Sequence, residues 1–245
     1  MSEDLSEILE NWDFETGRVS ARRIVGLDGR PKLQFRVDCG LLQMEIDGRP
    51  DGARPHGCES VLAHLQTRAA AGQGAPIELD EDDWLEIDRE LLQFYHRRVS
   101  WLALREYRRA MADADHNLAL MDFLRQHCPD AGRVAGHEQY RPFVLMHRTQ
   151  AAARLRLDDN DAEGAVEELQ AGQTAIRRFL TGFGPPGAVD RDAHLEALGE
   201  MEREVRAVYG ISRTLREQLA EAVEAQDYER AARLRDRLAR RKPED

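Results

Sequence analysis

The chain has 245 residues, 42% hydrophobic and 33% charged, with a formal net charge of −11 at pH 7. That balance predicts a soluble, helix-rich protein with room for one large or two small cored domains, and it argues against general nucleic-acid binding, because phosphate contacts need a positive surface. No apolar run approaches a membrane span, the acidic start MSEDLSEILE is unlike a signal peptide, and three cysteines at unrelated spacings (Cys39, Cys58 and Cys128) fit a reducing cytoplasm.

A short helix is expected around 5–12, followed by β structure. Leu33, Phe35 and Val37 alternate strictly with Lys32, Gln34 and Arg36, and Leu42, Met44 and Ile46 repeat the pattern. Turn signals at Asp28-Gly29-Arg30-Pro31 and Cys39-Gly40 separate the runs. The spacing predicts a three-stranded antiparallel meander over 18–26, 32–38 and 41–47, with one face on helices and the polar face toward water.

Residues 47–58, DGRPDGARPHGC, are dense in glycine and proline and read as a loop of fixed turns. Within twelve positions they gather Asp47, Arg49, Asp51, Arg54, His56 and Cys58, which makes them the strongest catalytic or metal candidate. The pieces do not assemble by spacing. His56-x-Cys58 lacks a second ligand pair, and adjacency alone does not activate a thiol. A turn stitched by Arg–Asp pairs is the plainer reading, and neither catalytic residues, a metal nor a cofactor is expected.

From 59 onward the chain reads as helical, with segments over 59–70, 81–104, 106–127, 138–157 and 161–180. Gly72-Gln73-Gly74 closes the first. Asp80 caps the second, with Glu81, Asp82 and Asp83 in its first turn and Trp84 placed to pack back on Leu79. Phe94, Trp101, Tyr107 and Ala110 resemble the aromatic-to-small spacing of the tetratricopeptide repeat, as do Ala153, Ala165, Leu169 and Gly172. Arg97 and Arg98 depart from that pattern, and the two copies lie farther apart than the usual unit.

LTGFGPPGAV at 180–189 breaks the helical run. A helix over 190–209 follows, then ISRTLREQLAEAVEAQDYERAARLRDRLARR at 211–241. In its first half Ile211, Leu215, Leu219, Ala222 and Val223 recur at helical spacing. Asp227 is a suitable N-cap after the break at Gln226, and Tyr228, Ala231, Leu234 and Leu238 form a facing stripe with Ala232 and Ala239 at its edge. These residues predict a helical hairpin with apolar area left over for another helix. Arg230, Arg233, Arg237, Arg240 and Arg241 share the opposite face, and basic residues exceed acidic ones by five from Tyr228 to Lys242. That face suits an anionic partner, or else a solvated surface in which Glu229–Arg233 and Asp236–Arg240 pair at i,i+4.

Leu219, Ala222, Asp227-Tyr228-Glu229, Ala231-Ala232 and Leu234-Arg235-Asp236 fall where the UVR motif has its recurring residues, so the hairpin resembles that motif of UvrB, UvrC and several stress regulators. The chain lacks the GxxxxGK[ST] loop of the UvrB ATPase and the CxxC pairs of zinc-binding regulators of the McsA type. It is also too short, and too poor in nuclease signatures, for UvrC. The string LLQMEIDGRPDG is similar to the N-terminal part of uncharacterised bacterial UVR-motif proteins, which implies no activity.

The expectation is a mostly α (α+β) chain: a meander plus helix over 1–74, a tetratricopeptide-like helix array over 75–182, and a semi-detached linker helix and hairpin over 190–245. Three functions remain open. The first is a non-enzymatic adaptor docking another protein through Leu215, Leu219, Ala222, Val223, Tyr228, Ala231, Leu234, Arg235 and Leu238, the partner being UvrB/UvrC-like or a second copy. The second is an accessory to nucleotide excision repair, and the third is an enzyme using the 47–58 loop.

Overall fold

Alternation in the N-terminal stretch produces an antiparallel sheet of β1 (Ala21–Val25), β2 (Pro31–Val37) and β3 (Gly40–Glu45), in that order. The computed structural model describes residues 4–73 and 75–241. Met1, Ser2 and Glu3 of the acidic start, Gly74 of the expected linker, the Arg241 side chain and Lys242 lie outside the described residues. Leu33 stands opposite Arg23 and Met44, and Gln34 opposite Arg22 and Gln43.

The polar face does not see water as expected, since Lys32 and Gln34 are buried beside Leu33. Gln34 is held in a row, accepting from Arg22 Nε at 2.9 Å and donating to Gln43 at 3.0 Å. The segment around α1 (Ser6–Leu9) lies over this face. Arg22 donates to the Ile8 carbonyl and sits 4.0 Å from the Trp12 ring centroid, and Arg36 donates to the Trp12 carbonyl. Lys32 meets Asp28 and Glu45. Cross-strand polar pairing therefore substitutes for solvent.

Helices α2 (Val61–Ala71) and α3 (Glu81–Ala103) then build a core. Ser60 caps α2 on Ala63 N–H, and Asp80 and Asp83 form a reciprocal capping box on α3. Val61, Leu65, Trp84 and Ile87 of these helices pack with Leu120, Phe123 and Leu124 of α4 (Tyr107–His127), and Leu79 joins the same cluster. Phe35 carries the sheet onto α3, its ring 5.8 Å from that of His96. Trp101 and Ala110 are both buried on either side of the α3–α4 turn.

The helix expected over 138–157 is α6 (Arg141–Asp158), and it is preceded by a further helix, α5 (Ala131–Glu138), that was not expected from the sequence. Asp130 caps α5 on Arg133 N–H at 3.0 Å, and Val134 enters the core. Gly132 and Gly136 hide α5 in the sequence, because glycine weakens helical propensity.

The chain divides into two compact units, 1–151 and 152–245, the division falling inside α6. In the second, α7 (Ala162–Phe183) packs against α8 (Ala193–Tyr209), burying Val166, Leu169, Ile176, Leu195, Leu198 and Val205. The Gly-Pro-Pro-Gly break is a corner inside this unit and does not release a semi-detached tail. Arg191 pins it by donating to the Pro186 and Gly187 carbonyls. Gly210, at φ 65°, ends α8 in the left-handed conformation that glycine adopts without strain. The hairpin of α9 (Leu215–Glu224) and α10 (Tyr228–Arg241) follows in the same unit.

Candidate docking site in the C-terminal hairpin

The first helix of the hairpin starts later than its periodicity suggests. Ile211 lies before it, with its N–H on the Arg206 carbonyl. Thr214 is the N-cap, fully buried, and its hydroxyl accepts from Glu217 N–H at 3.2 Å while Glu217 accepts from Thr214 N–H at 2.7 Å. The Thr-x-x-Glu spacing at 214–217 is the sequence signature of this capping box. Glu217 also accepts from Gln170 of α7 at 2.7 Å and from Arg206 of α8 at 2.5 Å. One carboxylate thereby ties three helices together. Burial pushes Glu217 up, but the Arg206, Thr214 and Gln170 donors outweigh it and hold the group at about 2.

The turn is compact. Gln226 adopts φ 56°, Asp227 N–H reaches the Ala222 carbonyl at 2.8 Å, and the Asp227 side chain caps α10 on Arg230 N–H at 3.0 Å. Leu215, Ala222, Ala231 and Leu234 are buried together, with Leu219 and Leu238 packed at their margin. The alanines let the helix axes approach closely.

The expected docking residues thus separate into two groups. Leu215, Ala222, Ala231 and Leu234 are consumed inside the hairpin. Val223 and Tyr228, read from the sequence as part of the inner stripe, instead point outward at 54% and 70% exposure. Val223 lies about 80° round the helix from Leu215, and Tyr228 sits past the last turn of α9. Leu219, Leu238 and Arg235 line a groove of about 540 Å³ bordered by Glu167 and Glu168 of α7, with Arg216 bridging to Glu167 at 3.0 Å.

Arg230, Arg233, Arg237 and Arg240 are exposed. Neither expected pair, Glu229–Arg233 or Asp236–Arg240, forms among the described residues; Asp236 instead meets Arg235 at 3.1 Å.

The 47–58 loop is built as a structural turn. Arg49, almost fully buried, meets Glu86 at 2.8 Å, Asp51 at 3.3 Å and Glu90 at 3.7 Å. Arg97 donates to the Glu45 and Gly48 carbonyls and grips Asp113 with two nitrogens. Glu90, also fully buried, accepts the N–H groups of Val61 and Leu62 at the start of α2. His56 stacks on His64 at 4.0 Å, and burial lowers the His64 pKa, with His56 and Arg68 adding to it. Among the described residues no group of three His, Cys, Asp or Glu side chains is arranged to hold a metal.

The UvrB/uvrC motif model matches residues 213–241, the hairpin with its cap, so the chain carries a UVR motif. Such motifs occur in DNA-repair proteins and mediate protein–protein interactions. No curated protein and no solved structure matches the chain. Among the described residues no helix is long and apolar enough to cross a membrane.

Proposed function

We propose that this chain is a non-enzymatic adaptor whose UVR hairpin docks another protein. The observation that carries the reading is the motif match over a hairpin that leaves Val223 and Tyr228 exposed and Leu219 and Leu238 open to a groove. An apolar tip and groove edged by Arg216, Arg235, Glu167 and Glu168 suit a helix of mixed charge, as a UvrB/UvrC-like motif or a second copy would supply. The helical body, with the large–small nesting of a tetratricopeptide-like array, would hold the second protein. The cytoplasm is the expected compartment.

The test is affinity capture with the full chain and two variants. Leu219→Asp places a charge at the margin of the hairpin core and should abolish capture of the partner. Arg237→Glu alters only the outer stripe and should leave the partner bound. The reverse pattern would overturn the adaptor reading.

A second reading, an accessory of excision repair touching nucleic acid, has one observation in its favour. Arg230, Arg233, Arg237 and Arg240 are exposed without a carboxylate partner among the described residues. Duplex DNA retained at low salt and released as salt rises would favour it.

A further inference from the structure

Four arginines of the first unit are under a tenth exposed: Arg49, Arg97, Arg98 and Arg141. Three of them face carboxylates, Arg49 on Glu86, Arg97 on Asp113 and Arg141 on Glu138. Arg98 is the exception. At 1% exposure it forms no ion pair among the described residues. Its Nε donates to His147 Nδ1, a neutral acceptor, at 3.3 Å, and its Nη1 has no hydrogen-bond partner. Burial pushes this guanidinium down to about 10, although Asp113 and Tyr95 pull the other way. A buried cation without an ion-pair partner is costly, so its retention calls for a reason.

Arg98 lines a cavity of about 490 Å³ whose walls include Leu91, Tyr95, Met121, Phe143 and Val144. Asn117 lines the same cavity. Its Nδ2 donates to the Leu91 carbonyl at 3.2 Å, while its Oδ1 is buried without a donor. One unpaired cation and one unpaired acceptor therefore border a mostly apolar space of ligand size. The carboxylate at the rim, Asp88, is engaged by His137 at 2.7 Å and lies ten residues, about 15 Å, from Arg98 along α3. It does not neutralise the guanidinium.

We propose that this cavity binds a small carboxylate with an apolar body and one N–H or O–H donor. The carboxylate would meet Arg98 after a small side-chain rotation, the apolar body would lie against Leu91, Met121, Phe143 and Val144, and the donor would reach Asn117 Oδ1. The site stands apart from the hairpin and does not depend on its role. A bound carboxylate supplies the anion that, among the described buried arginines, only Arg98 lacks.

The test is calorimetric titration of the full chain with indole-3-acetate, indole-3-ethanol, naphthalene-1-acetate and hexanoate. Saturable one-to-one binding of indole-3-acetate is expected. The neutral alcohol should bind at least tenfold more weakly, and naphthalene-1-acetate, which lacks the N–H, several-fold more weakly. Arg98→Met should remove the preference for the acid over the alcohol. Leu92→Trp, at a rim position 54% exposed, should block the cavity and keeps the test open if Arg98→Met does not fold. Saturation by none of the carboxylates, equal binding of acid and alcohol, or binding indifferent to both variants would overturn the proposal. The last outcome would mean that Arg98 and Asn117 satisfy each other by rotation.

Discussion

Arg206 donates from Nη2 to Glu217 Oε1 across 2.5 Å, joining the last turn of α8 to the first turn of α9. The same carboxylate caps its own helix on Thr214 N–H. The hairpin is therefore anchored at its base while its tip, with Tyr228, stays exposed.

Protonating Glu217 should loosen that anchor. Its folded pKa, about 2, lies below the ordinary 4.5, so the stabilisation is complete above about pH 4.5 and is lost as pH falls toward 2. Melting followed between about pH 5 and about pH 2 should show a steep loss for the native chain and a flatter profile for Glu217→Gln. Identical slopes would refute the assignment.

The cap itself can be weighed separately. Thr214→Ala removes the hydroxyl that accepts from Glu217 N–H, and the C-terminal unit should lose about 1 kcal/mol in denaturant unfolding. No change would mean that the buried Thr214 serves packing alone.

In the first unit Arg97 and Asp113 form a buried two-nitrogen pair. Burial raises the Asp113 pKa and the Arg97 contact opposes it. Arg97→Met leaves the carboxylate unpaired and should destabilise the unit by about 3–5 kcal/mol. Urea unfolding with a loss under about 1 kcal/mol would show that water or another donor replaces the arginine.

The thiols should differ sharply. Burial pushes Cys128 up to about 11, so at pH 8 about a thousandth of it is thiolate. Cys39 is exposed. Native-state alkylation should modify Cys39 at least tenfold faster, and equal rates would contradict the burial of Cys128. The purified protein should also carry no stoichiometric zinc. One zinc per chain, lost on Cys58→Ser, would revive the 47–58 loop as a site.

Much of this architecture was readable from local pattern. Alternation at Leu33, Phe35 and Val37 located the sheet, Asp80 and Asp227 located two helix starts, and the Leu and Ala spacing located the hairpin. What stayed hidden depends on partners distant in sequence. Lys32 and Gln34 read as solvent-facing because their partners, Asp28 and Glu45 for Lys32 and Arg22 beneath the Trp12 segment for Gln34, are not encoded in their own alternation. Arg97 and Arg98 read as flaws in a helical repeat, since neither Asp113 nor the cavity beside Asn117 is visible from α3 alone. Periodicity places Val223 and Tyr228 on the inner stripe because it fixes a face but not where the opposing helix ends.

The most direct test of the docking role is the dissociation constant of the captured partner, measured against salt for the native chain and for Val223→Asp with Tyr228→Asp. Both positions are exposed, so the double variant should fold as the native chain does. The adaptor reading predicts at least a tenfold weakening in the double variant and little salt dependence in the native complex. Affinity that survives both substitutions and collapses as salt rises would contradict it, and would make the arginine face of α10 the working surface.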